Sequence, residues 1–294
     1  MKVLLTGATG YVGSALREYL KRQGHDVRLL VRKESAHKAP TEGYDIVEGT
    51  VFNTNACLRA TDGMDTVVHL VGLIRENPSQ GIVFDEYHRV ATGNMLEAAK
   101  VSGVERFIHM SALGTRENAR SKYHRTKWEG EQLVQKSSLR WTIFRPAWIF
   151  SPGDGLSTQI SSLVRKPLVP LIDGGRSLMQ PVSLEDVCEI MSRSLIMPET
   201  HGMIYEVGGP DRIAFRDLVT KTAEFVGKHL RTMTVPFWAI KPFVAAMQRF
   251  TFFPLTVDQM KMLSEDNVCE IDPFVKTFQL QPKSFVEALP GLVR

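Results

Sequence analysis

Lys2-Val3-Leu4-Leu5-Thr6 runs directly into Gly7-Ala8-Thr9-Gly10-Tyr11-Val12-Gly13.

 Within it, Val3, Leu4 and Leu5 make an apolar run of strand length. From Tyr11 onward, apolar side chains recur at helical spacing until Gly24 stops them. Three glycines therefore occupy the turn between a strand and a helix. Gly7 permits the tight exit from the strand. Gly10 lacks the Cβ that would hold a pyrophosphate off the backbone, and Gly13 lets the helix pack closely on the strand. The helix N-terminus offers N–H groups and a positive dipole end to phosphates. In this context the turn reads as a dinucleotide site, with Gly7, Thr9, Gly10, Tyr11, Val12 and Gly13 as its contacts.

The pattern that follows alternates. Strands are expected over 2–6, 26–31, 45–48, 66–70, 106–110 and 140–144, with helices over 11–23, 55–60, 83–102 and 121–136. Such alternation builds an α/β Rossmann fold, a doubly wound parallel sheet covered on both faces. Residues 1–150 are read as this NAD(P)-binding domain. After Phe150 the loop signals Ser151-Pro-Gly-Asp-Gly155 and Asp173-Gly-Gly175 break the rhythm. A helix over 183–197, with Ser183 as N-cap and Asp186 at N3, a strand over 203–207 and a helix over 215–226 follow. Residues 151–294 are expected to form a smaller C-terminal α+β substrate or lid lobe, with segments returning to the main sheet.

At 294 residues the chain can bury a core of that size, and 43% hydrophobic with 23% charged residues is ordinary for a globular protein. A net charge of +4 makes no case for nucleic-acid binding. Cys57, Cys188 and Cys269 lie far apart, without metal-ligand or disulfide spacing, so no metal is expected and the compartment is read as a reducing cytoplasm. Met1-Lys2 runs straight into the first strand without an export segment, and no stretch reaches the ~18 apolar residues of a membrane helix.

Cofactor choice rests on the end of the second strand. A carboxylate there would hold the ribose hydroxyls of NAD. This chain has Arg32-Lys33, and a guanidinium suits a 2′-phosphate through charge-assisted hydrogen bonds. Arg28 either assists or faces solvent, and Glu34 could reach the ribose and restore NAD. NADP is the expected cofactor, with NAD the alternative.

Tyr123-His-Arg-Thr-Lys127 resembles the Tyr-x-x-x-Lys signature of the short-chain dehydrogenase/reductase superfamily. The glycine spacing resembles its extended and atypical, epimerase/dehydratase-like branches. Further landmarks are His69-Leu-Val-Gly72, Met110-Ser-Ala-Leu-Gly114, Arg145-Pro-Ala-Trp148 and Gln180-Pro-Val-Ser-Leu-Glu-Asp186. Together they look most like the atypical group containing the nucleotide-binding accessory subunit of respiratory complex I. The resemblance implies Tyr123 as acid/base and Lys127 as the residue that tunes it and holds the nicotinamide ribose. It also implies Ser111 as a catalytic and cofactor-side hydroxyl, and Val51, Leu70, Val71, Gly72, Pro146 and Ile149 as cofactor contacts.

Tyr123 and Lys127 stand at i and i+4, on one helix face. A neighbouring ammonium favours the phenolate, so the tyrosine pKa is expected below its ordinary ~10. Two positions depart from the superfamily pattern. Ala112 stands where the substrate-orienting Ser or Thr is aligned, one place beyond Ser111. Thr50 stands where extended members commonly carry an adenine-binding aspartate, leaving the Val51 backbone.

His69 and His109, at strand ends, are read as hydrogen-bonded core histidines. His124 points about 100° around the helix from Tyr123. Asn94 is a candidate brace for the site, and Arg176 is either an anion contact or a loop arginine. The segment 235–255 carries Phe237, Trp238, Phe243, Phe250, Phe252 and Phe253, broken by Pro236, Pro242 and Pro254. It is read first as core or lid; Lys241 and Arg249 also fit a protein partner or peripheral membrane surface. The function expected is an NADP-dependent oxidoreductase or epimerase-like enzyme acting on a small carbonyl or hydroxyl substrate. The alternative is a non-catalytic NADP(H)-binding structural or regulatory protein with a respiratory or quinone-linked partner.

Overall fold

Alternating apolar strands and amphipathic helices account for the first half of the computed structural model, which describes residues 1–40, 42–250 and 253–292. The strands are Lys2–Thr6 (β1), Asp26–Val31 (β2), Asp45–Glu48 (β3), Thr66–His69 (β4), Arg106–Met110 (β5) and Arg140–Pro146 (β6). Helices Tyr11–Arg22 (α1), Thr54–Thr61 (α2), Ala91–Val101 (α3) and Lys122–Lys136 (α4) separate them. The sheet order is β6-β5-β4-β1-β2-β3, with Met203–Val207 as a seventh strand beside β6. The pairings among β1 to β6 are parallel, in the register Leu5↔Leu29, Leu5↔Val68 and Val68↔Ile108. This is the Rossmann arrangement, and the C-terminal strand ends share one edge.

Near-continuous apolar strands are what a sheet covered on both faces requires. Leu4, Leu30, Val67, Phe107 and Ile143 pack in one cluster with Ala56 and Ala60 of α2 and with Ala91 and Met95 of α3. Small residues on these helices let them lie close to the sheet.

Two compact units make up the chain. The first comprises Met1–Glu117, His124–Arg145 and Val187–Tyr205; the second comprises Asn118–Tyr123, Pro146–Asp186 and Glu206–Arg294. Arg106 fastens Val187–Tyr205 into the first unit. Its buried guanidinium donates to the Ser194 carbonyl at 2.9 Å, Thr200 Oγ1 at 2.9 Å and Thr142 Oγ1 at 2.6 Å. Burial lowers its pKa to about 10.

The helix expected over 83–102 is not uniformly α. Glu86–Val90 winds as a π-helix before α3 continues. The extra residue accommodates His88, whose ring meets Thr126 Oγ1 at 2.8 Å and the Leu73 carbonyl at 3.0 Å. Such π turns recur at functional sites.

In the second unit, Thr232–Val235 pairs in parallel with Val169–Ile172, and Val182–Ser183 pairs in parallel with Ile149–Ser151. Phe150, Ile160, Val169, Leu218 and Phe285 form its core. The aromatic segment is largely outside that core, so the core half of the core-or-lid expectation does not hold for it. In the helix Phe237–Met247 only Val244 is buried. Phe252 lies outside the described residues.

Candidate active site

The glycine turn has the geometry its spacing requires. Gly7 adopts φ +75°, and a Cβ on Gly13 would fall 2.1 Å from the Gly7 carbonyl oxygen. Leu70 closes the turn from β4: its N–H donates to the Thr6 carbonyl at 3.3 Å, and its backbone lies 3.1 Å from where a Gly7 Cβ would stand. Val12 is buried, while Thr9 and Tyr11 are half-buried beside it. No side chain caps α1 at Gly10, and its first turn has no acidic residue, which leaves the positive helix end to an anion. These features fit a pyrophosphate. Arg17, not singled out from sequence, reaches back to donate to the carbonyls of Ala8 at 3.1 Å and Lys38 at 3.3 Å. Its place one turn beyond Gly13 was the available signal.

Arg32 and Lys33 are exposed at the C-terminal end of β2, and Arg32 Nη2 lies 3.5 Å from Ser35 Oγ. Arg28 is elsewhere. It pairs with Asp45 at 2.5 Å and donates to the carbonyls of Arg59, Ala60 and Asp62, capping the end of α2. A cation at a helix C-terminus is favoured there by the dipole. Asn94 braces the adenine-side loop, its Nδ2 donating to the Val51 carbonyl at 2.9 Å. Thr50 Oγ1 accepts the Phe52 N–H at 3.1 Å.

Lys127 is buried at the same strand edge. Its Nζ donates to the Met110 carbonyl at 3.0 Å and would meet a Cβ on Gly72 at 3.0 Å. Gly72 is therefore the residue that admits the ammonium beside Val71 and the end of β4. Burial lowers the Lys127 pKa to about 8, against the opposing pull of Glu131. Glu131, one turn further along α4, has a fully buried side chain and holds Arg145 through two hydrogen bonds of 2.9 and 2.6 Å. Sequence reasoning missed this pair; the i+4 spacing Tyr123, Lys127, Glu131 was its signal.

Tyr123 corrects an expectation. Burial raises its pKa to about 12, rather than the Lys127 ammonium lowering it. Ser111 is buried with its N–H on the Phe144 carbonyl at 2.7 Å and its hydroxyl donating to Thr115 Oγ1 at 3.3 Å. Pro146 is buried at the end of β6, and Ile149 opens a short strand; both belong to the second unit, as Tyr123 does.

The strand-end histidines are core residues, as expected, but incompletely hydrogen-bonded. Thr6, His69 and His109 align across β1, β4 and β5. Thr6 Oγ1 lies 2.8 Å from His69 Nδ1, and the two histidine rings stack at 5.7 Å. Among the described residues, His69 Nε2 and both His109 nitrogens have no protein partner. Burial first, and the Lys127 charge second, lower both pKa values and keep the rings neutral.

Comparison with known proteins agrees with this edge. A family profile described as NAD(P)H-binding matches residues 7–188. The 40 kDa subunit of mitochondrial NADH-ubiquinone oxidoreductase from Neurospora crassa is 26% identical over 279 residues, covering 93% of this chain and 72% of that protein. A ceramide reductase from Caulobacter vibrioides is 31% identical over 172 residues, covering 58% of this chain and 53% of that protein. In fold, the chain is similar to a nucleoside-diphosphate-sugar epimerase from Staphylococcus aureus, with a TM-score of 0.79 at 20% identity over 99% of this chain and 100% of that one. The chain thus belongs to the NAD(P)H-binding family, and its fold is that of the nucleotide-sugar epimerase.

Proposed function

We propose that this protein is an NADP-dependent oxidoreductase that reduces a small carbonyl substrate. The observation that carries the reading is the buried Lys127 ammonium at the C-terminal strand edge, between the Met110 carbonyl and Gly72, one helical turn from Tyr123. NADPH, when bound, supplies the hydride. Gly7, Gly10 and Gly13 with the N-terminus of α1 would hold its pyrophosphate, Arg32 and Lys33 the 2′-phosphate, and Lys127 the nicotinamide ribose. A phenol with a pKa near 12 is protonated throughout the neutral range, so Tyr123 is suited to give a proton to a carbonyl oxygen. The ceramide reductase among the relatives supports reductase chemistry without assigning its substrate here. Three buried cysteines fit a reducing cytoplasm.

The 40 kDa oxidoreductase subunit and Ala112 at the substrate-orienting position support a second reading, a bound dinucleotide serving a structural or regulatory role. One experiment separates the two: NADPH oxidation by the purified protein across a carbonyl library, with Tyr123→Phe beside it. The enzyme reading expects turnover that falls at least about a hundredfold in the variant while NADPH binding persists. Equal turnover in Tyr123→Phe would refute the assignment. Tight NADPH retention without turnover on any carbonyl would favour the second reading.

A further inference from the structure

We propose that the helix Phe237–Met247 and its flanks form a docking surface for an anionic lipid bilayer. The first observation is exposure. Trp238 is 78% exposed and Phe243 56%, in a helix whose only buried side chain is Val244, and Phe250 just beyond it is 39% exposed. Met233 on the preceding strand and Leu168 beside its partner strand are exposed as well. Exposed apolar side chains gathered in this way mark an interaction surface rather than ordinary solvent-facing residues.

The second observation is charge. Between Glu224 and Asp258 the chain has no acidic residue, while Lys228, Arg231, Lys241 and Arg249 are all basic. Arg165 and Lys166 add to them, with Lys228 Nζ 3.5 Å from the Arg165 carbonyl. Asp173 is the carboxylate at this edge, and it accepts the Phe237 N–H at 3.0 Å, against the positive end of the helix. Arg249 lies over the Phe250 ring at 4.9 Å, and Phe243 meets Phe253 edge-on at 5.8 Å. Aromatic and aliphatic side chains rimmed by Lys and Arg are the composition of an interfacial helix.

The charge argument selects the occupant. Two copies of this surface would bring like charges together, which disfavours self-association. Anionic headgroups attract every basic residue named, and Trp suits the headgroup level. A helix of 11 residues is too short to span a bilayer, so it lies in the interface plane. The surface is also firmly held: Gln248 Oε1 accepts the Val257 N–H at 3.0 Å, and Thr256 and Gln259 form a capping box on the next helix, Val257–Leu263.

The test uses the whole protein with vesicles of phosphatidylcholine alone or mixed with phosphatidylglycerol. Co-sedimentation is expected with the anionic vesicles, weakened by salt, and about thirtyfold weaker when Lys241 and Arg249 are both changed to Gln. Trp238→Ala with Phe243→Ala should abolish it while NADPH binding is unchanged. Brominated lipid should quench the wild-type fluorescence, and Trp238→Phe should lose that quenching while still sedimenting. Absence of vesicle binding by the wild type would overturn the proposal. So would binding that is indifferent to lipid charge and to both double variants, or a wild-type dimer that Trp238→Ala with Phe243→Ala dissociates without any vesicle binding.

Discussion

The Asp258 carboxylate accepts the backbone N–H of Tyr123 at 2.9 Å and that of Lys122 at 2.7 Å. It therefore caps α4 from 135 residues away in sequence. Asp258 sits in the first turn of the helix Val257–Leu263, so two helix N-termini share the charge. The orientation of the proposed proton donor thus depends on a residue remote from its motif.

Asp258→Ala should cost about 1 kcal/mol of stability, the ordinary worth of an N-cap. Denaturant unfolding measures this. The same variant should lower kcat while leaving the NADPH dissociation constant unchanged, and Asp258→Asn should recover most of both losses.

Lys127 makes stability and cofactor affinity respond oppositely to pH. Its folded pKa of about 8 lies below the ordinary ~10.4. Below pH 8 the group is charged in both states, and the burial penalty, about 3 kcal/mol, is fully present. From pH 8 to about 10.4 the unfolded chain binds the extra proton, so this contribution to stability rises with pH. Wild type should gain stability relative to Lys127→Met across that window in paired denaturation series. NADPH affinity should fall over the same range as the ammonium is lost, and titrations at pH 7 and pH 9.5 would show it.

Glu131→Leu should destabilise the protein by about 3 kcal/mol, because it leaves the Arg145 guanidinium, mostly buried, without its carboxylate. Adding Arg145→Met should recover a large part of that loss. A double-mutant cycle by chemical denaturation measures the coupling.

Arg32→Ala should weaken NADPH about tenfold and leave NADH nearly unaffected, since an exposed guanidinium hydrogen-bonded to a phosphate contributes on the order of 1.5 kcal/mol. Equal loss for both cofactors would assign Arg32 to the shared part of the dinucleotide.

Much of the fold was legible because its signals are local. Gly24 and Gly103 adopt positive φ where the chain leaves α1 and α3, as their positions after apolar repeats indicated. The ends of the first, second and fourth helices moved by a residue or so, whereas the helix expected over 183–197 stops at Arg193. The π turn at Glu86–Val90 was not legible, nor was the contact of its His88 with Thr126, 38 residues later. The Tyr123 pKa was misread because an i+4 ammonium is visible in sequence and desolvation is not. The alignment of Thr6, His69 and His109 was not legible for a related reason: residues at the ends of three separate strands reveal their neighbours only once the register is set.

By itself, then, the sequence determined the turn through Gly7, Gly10 and Gly13 and the alternation that builds a parallel sheet, because backbone sterics and side-chain period act over a few residues. Tertiary structure alone decided that Asp258 caps the Tyr123 helix, that Glu131 holds Arg145, that Ser111 turns to Thr115, and that the helix Phe237–Met247 faces outward. Each of these depends on burial or on partners that only the folded chain brings together, which no local pattern encodes.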